Sequence, residues 1–262
     1  MQLFPAAKLA ITLRVLFALA AAATLSGSMA AEVRQEDVDE SMIAAAGQGD
    51  MTTFNIAIGL GANLNAVDRH GNNAVLAATR GDRTELLRTL LDKGVDPNKL
   101  GGSGFTPLTY AAMEGSARKV QLLLKAGARP NQPNALGETP LHLAVQFGRV
   151  DVIALLAASG SRVDTPNAVG ETALISAIRA NQAEAFAALL ALGAATNVND
   201  RNSDSALVLA IQEDRERMAL ALVEKGARFD PLPRHYSPLQ LARFMGHTSV
   251  IDAMEKRETG ER

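Results

Sequence analysis

Gly104-Phe-Thr-Pro-Leu-Thr-Tyr-Ala-Ala112 and Gly137-Glu-Thr-Pro-Leu-His-Leu-Ala144 decide the fold, because they stand 33 residues apart and agree almost position by position. Gly71 and Gly170 extend the same interval on either side, and Ser203 follows at it. Val38 precedes Gly71 by 33, and the pattern resumes at His235 after a step of 32. These seven positions serve as anchors for comparing fixed offsets, since a period of this size marks a repeat architecture.

Two residues after the anchor stand Asn73, Thr106, Thr139, Thr172, Ser205 and Ser237, all residues whose side-chain oxygen can accept from a free amide of a first helical turn. The next position holds Ala74, Pro107, Pro140, Ala173, Ala206 and Pro238, as the first helical position allows. At offset four come Met42, Val75, Leu108, Leu141, Leu174, Leu207 and Leu239. Offset seven is alanine throughout: Ala45, Ala78, Ala111, Ala144, Ala177, Ala210 and Ala242. A bulky residue and a small one three apart on one face suit closely stacked helices. The first helix should stop at offset eleven, at Gly49, Asp82, Gly115, Gly148, Asn181, Asp214 and Gly246, which tolerate a left-handed backbone. Leu90, Leu123, Leu156, Leu189 and Leu222 mark a second helix, which ends at Gly61, Gly94, Gly127, Gly160, Gly193 and Gly226. Asn65, Asn98, Asn131 and Asn197 close the unit in the turn. One such unit cannot bury its apolar face alone, so the units must stack.

These residues resemble the ankyrin repeat, whose signature is T-P-L-H-x-A at a 33-residue period. The resemblance covers about 36–258 and implies an all-α solenoid of helix-turn-helix units joined by hairpin loops. Seven units are expected, starting near 36, 68, 101, 134, 167, 200 and 232, within one domain over 31–262. The pattern departs at the ends. Glu40 stands where the first cap should be, and the last hairpin, Pro231-Leu-Pro-Arg-His235, is one residue short. Both departures suit capping units with an outer face in water.

Residues 1–30 carry Lys8 and Arg14, then the run Val15–Leu25, then Ser26-Gly-Ser-Met-Ala30. That is the layout of a secretory signal, with cleavage expected after Ala30. An eleven-residue run is short of the roughly 20 needed to span a bilayer. An uncleaved anchor is the alternative. The expected product is periplasmic or secreted, monomeric, and without stable membrane insertion once cut. Removing Lys8 and Arg14 from 26 Lys+Arg leaves 24 against 28 Asp+Glu, a net charge of −4. Such a chain has no field to draw it onto nucleic acid. It has no cysteine, which excludes disulfides, thiol catalysis and thiolate metal sites. With eight Phe, two Tyr and no Trp, the core must be built from Ala, Leu, Val and Ile.

No catalytic, cofactor or metal constellation is expected. His142 occupies the repeat's histidine position, where the imidazole bonds the neighbouring turn. No two of His70, His142, His235 and His247 have the spacing of a metal-binding helix. Gly101-Gly-Ser-Gly104 lacks a preceding strand and the lysine of a phosphate loop, and reads as a flexible hairpin. Because the repeat accounts for nearly every residue, no separate catalytic domain has room.

The resemblance further implies that partners bind through hairpin tips and the exposed edge of each first helix, on a concave face. Carried over by position, it marks His70, Asn72, Ser103, Glu114, Ala135, Glu138, Gln146, Glu171, Asn202, Asp204, Gln212 and Glu213 beside a more pointed set. That set has an apolar centre of Phe105, Met113, Leu136, Phe147 and Val169, flanked by Arg69, Arg80, Arg179 and Arg201. An apolar centre with an arginine and polar rim is the composition of a protein interface. The same side chains could instead fold back over the alanine-rich helices. The function expected is a non-enzymatic scaffold that binds a folded protein partner in an exported compartment, in a protective, assembly or inhibitory role. The alternative is an envelope-anchored structural protein.

Overall fold

The computed structural model describes residues 34–81, 83–199, 204–229 and 237–259. The expected signal, Asp82, Arg201, Asn202 and the Pro231–His235 hairpin lie outside the described residues. Among those described, fourteen helices and no strand occur, an all-α arrangement. They fall into pairs: α1 (Gln35–Gln48) with α2 (Met51–Gly59), α3 (Ala74–Thr79) with α4 (Thr84–Asp92), and α5 (Pro107–Glu114) with α6 (Ala117–Lys125). Then come α7 (Pro140–Gln146) with α8 (Val150–Ala158), α9 (Ala173–Arg179) with α10 (Ala183–Ala191), α11 (Ala206–Gln212) with α12 (Glu216–Glu224), and α13 (Pro238–Met245) with α14 (Thr248–Thr259).

Two compact units divide the chain, Met1–Ala111 with Gln121–Ala128, and Ala112–Val120 with Arg129–Arg262. In the first, α1 packs on α2 and α3, and α3 on α4. In the second, α7, α9, α11 and α13 stack in succession, with α8 on α10 and α12 on α14 behind them.

The offsets explain this packing. All seven offset-seven alanines are at most 1% exposed, so no larger side chain fits between stacked first helices. Leu90, Leu123, Leu156, Leu189 and Leu222 are fully buried. Leu239 of α13 is only half-buried. At offset fifteen Leu86, Val152, Ala185, Met218 and Val250 are buried, while Thr53 of the first pair is only half-buried. There the third pair places Lys119, 1% exposed, whose Nζ lies 2.8 and 3.0 Å from the Glu114 carboxylate oxygens.

Helix ends follow the expected chemistry with two refinements. Asn73, Thr106, Ser205 and Ser237 each accept from the amide three residues on. Thr139 forms a reciprocal box with His142. Thr172 makes no such cap, and its buried hydroxyl oxygen has no partner among the described residues. Asn181 and Asp214 take the left-handed backbone, φ 54° and 57°, as their neighbours in register do with glycine. The first refinement lies at offset twelve. Arg149 Nε donates to the Met113 carbonyl at 3.2 Å, Gln182 to that of Gln146 at 3.2 Å, and His247 Nε2 lies 3.4 Å from that of Ile211. These side chains satisfy the free C-terminal carbonyls of the preceding first helix, where positive charge is also favoured. The second is a ladder in the turns. Asn98 and Asn131 donate to the carbonyls of Gly127 and Gly160, while Asn131, Asp164 and Asn197 accept from the amides of Arg162, Ala195 and Arg228.

Candidate partner-binding face

Three of the described hairpins are shaped by a residue three before the anchor. Asn134 Oδ1 accepts from the amides of Leu136 and Glu138, both at 2.9 Å, and Asn167 Oδ1 does the same for Val169 and Glu171. Asp68 serves His70 and Asn72 in this way. With its amides turned inward, the hairpin holds its tip side chains outward. The Asx position repeats at the same 33-residue interval, so the register could have revealed it.

Gly101 takes that place in the third hairpin. A Cβ there would collide with Leu76 Cδ2, and one at Gly102 with the His70 carbonyl. Gly102 is required by the close approach of two hairpins, and Gly101 leaves room for the buried Leu76 side chain of α3.

In the first compact unit, Arg69 and Arg80 are exposed. The Arg80 guanidinium lies over the Tyr110 ring, 5.6 Å from its centroid. Phe105, half-buried, meets Tyr110 edge-on at 6.3 Å. Part of the Phe105 ring therefore packs within its own repeat, and Tyr110 is a member of the cluster that sequence reasoning missed.

In the second unit, Leu136 is 64% exposed and Val169 48% exposed, on successive tips joined by a 3.1 Å bond from the Ala168 amide to the Leu136 carbonyl. Phe147 caps α7 and is 44% exposed, while Met113 is half-buried. Arg179 is not a free rim charge. Its Nε lies 2.7 Å from a Glu171 oxygen, so two positions marked separately form one pair. Arg201 lies outside the described residues. Sequence reasoning also passed over Phe244, 86% exposed, and Met245, although they sit at the offsets, nine and ten, that marked Met113 and Phe147.

His142 does what its position promised. Nδ1 accepts from the Thr139 amide at 3.2 Å, so Nε2 carries the proton and donates to the Glu171 carbonyl at 3.0 Å. Burial lowers its pKa, against the opposing pull of that carbonyl and of Glu138.

A family model described as ankyrin repeats (3 copies) matches residues 41–134, 119–202 and 141–234. The chain belongs to the ankyrin repeat family. No curated protein matches it. Ankyrin repeats are protein–protein interaction scaffolds and are generally non-enzymatic. Among the described residues of this ankyrin protein, no cluster of acidic or imidazole groups could hold a metal. None of its described helices is long and apolar enough to cross a membrane.

Proposed function

We propose that this ankyrin protein acts in an exported compartment, binding one folded protein through the hairpin tips and first-helix ends of its second compact unit. The observation that carries the reading is the exposure of Leu136, Phe147 and Val169. The hairpin and cap geometry uses only their backbone atoms. Large apolar side chains that the fold does not need are the material of binding hot spots. The signal layout of residues 1–30 supports the compartment.

The test compares two numbers for Phe147→Ala. Truncating a buried interface anchor weakens partner affinity by about 2 kcal/mol or more. A surface side chain leaves unfolding free energy within about 0.5 kcal/mol. Lost stability with intact affinity refutes the site. Mass spectrometry of the N-terminus tests the compartment: Ala31 supports it, and retained Met1 favours the anchored alternative.

A further inference from the structure

In the first compact unit a shallow cavity of about 340 Å³ opens between α1 and the hairpin that leads into α3. That is room for a side chain with some of its backbone. Ile43, Ala44 and Ala77 give it apolar lining, and Arg69, Arg80 and Glu40 give it charge.

Its charges are unequally available. Asp68 commits both oxygens to its own hairpin, Oδ1 to the amides of His70 and Asn72, and Oδ2 to the Asn72 side chain at 3.3 Å. Arg69 gives its Nε to His70 Nε2 at 3.3 Å and keeps its terminal donors. Arg80 is held by the Tyr110 ring face, a contact that orients a guanidinium without consuming its N–H groups. Phe105 in turn braces Tyr110. Neither arginine pairs with a carboxylate among the described residues.

Two guanidiniums line this partly apolar cavity, one of them over a ring, and neither is ion-paired with Glu40 or Asp68, which line it too. We propose that this cavity receives an acidic side chain from an extended segment of the partner protein, its carboxylate bridging Arg69 and Arg80. Charge complementarity selects the occupant, since a carboxylate accepts bidentate donation that a neutral side chain cannot. Glu40 works against it and keeps the site selective for a single acid rather than a run of them. The inference rests on the scaffold reading, but not on the apolar tips of the second unit.

Calorimetry with the purified chain tests it, using a six-residue peptide of alternating alanine and glutamate with both ends blocked. A glutamine version and an all-alanine version with a free C-terminus serve as the other arms. The glutamate peptide should bind, and more weakly as salt rises. Arg69→Ala and Arg80→Lys should each lower its affinity about tenfold, the latter keeping charge but losing the fork. Glu40→Gln should raise it about two- to fivefold. Circular dichroism of each variant checks folding, and Arg80→Lys supplies a mild change if Arg69→Ala unfolds. Equal binding of the glutamine peptide, preference for the free C-terminus, no binding at all, or affinity unmoved by both arginine changes overturns the proposal. Phe147→Ala should leave peptide binding unchanged. If that variant loses the protein partner while the peptide never binds, this inference fails and the scaffold reading stands.

Discussion

Arg69 and Arg80 of the first compact unit and Arg149, Arg179 and Arg257 of the second are used in opposite ways. In the first, Arg69 and Arg80 stand exposed with no carboxylate partner among the described residues. In the second, Arg149 bonds the Met113 carbonyl, Arg179 pairs with Glu171, and Arg257 donates to the carbonyls of Val223 and Ala227 at 3.0 and 2.7 Å. The residue type does not explain the difference. Position in the repeat does: at offset twelve Arg149 reaches a carbonyl of the preceding first helix, whereas Arg83 of the first unit lies across Gly49 with its Nε unpartnered among the described residues. Arg69, at its hairpin tip, meets no such carbonyl among the described residues. Basic side chains at different offsets of one repeat therefore divide into those that complete the fold and those left for a ligand.

The most severe way to test that division is Lys119, a cation placed wholly in the core and held by Glu114. Glu114→Ala should cost about 3 kcal/mol or more, because it weakens the compensation of a buried charge. Adding Lys119→Leu to that variant should recover most of the loss, since every other offset-fifteen residue of the described core is apolar or small. Urea unfolding reads both. A single variant as stable as the parent would show that Lys119 does not depend on this partner.

Smaller effects separate the two arginine classes directly. Arg149→Ala should lower unfolding free energy by about 1 kcal/mol through a lost hydrogen bond and a lost cation at a helix C-terminus. Arg69→Ala should stay within about 0.5 kcal/mol, as exposed positions do. Equal losses would erase the distinction.

The smallest effect expected is that of pH. His142 is neutral in the fold and its pKa lies below the 6.5 of an exposed imidazole, chiefly because of burial. The unfolded chain then takes up the proton first, so stability is full above pH 6.5 and falls as pH drops below it. Protonation would also turn Nδ1 from an acceptor into a donor facing the Thr139 amide. Thermal melts between pH 7 and 5 should decline more steeply for the parent than for His142→Asn. Parallel declines would mean that other groups carry the acid sensitivity.

The repeat period, the caps, the buried offset-seven alanines and the left-handed stops were all legible in the linear sequence. Each reflects backbone chemistry confined to one or two turns of chain, or a size limit that recurs at one offset. The roles of Asn73, Ala144 and Asn181 follow from the sequence for that reason. The hairpin asparagines Asn134 and Asn167, and the exposed Phe244, recur at the same interval and are equally legible in it.

Other outcomes belonged to tertiary structure alone. That Arg149 reaches a carbonyl 36 residues back, that Arg179 is taken by Glu171, that Thr172 leaves its hydroxyl unpartnered among the described residues and that Lys119 turns into the core could not be read from offsets. A long or rotatable side chain has several partners within reach, including solvent. Which one it takes depends on atoms brought near by stacking rather than by sequence. The sequence by itself determined the repeating backbone and the places where ligand-facing side chains could stand. Only packing decided which of those side chains the fold consumed and which it left free.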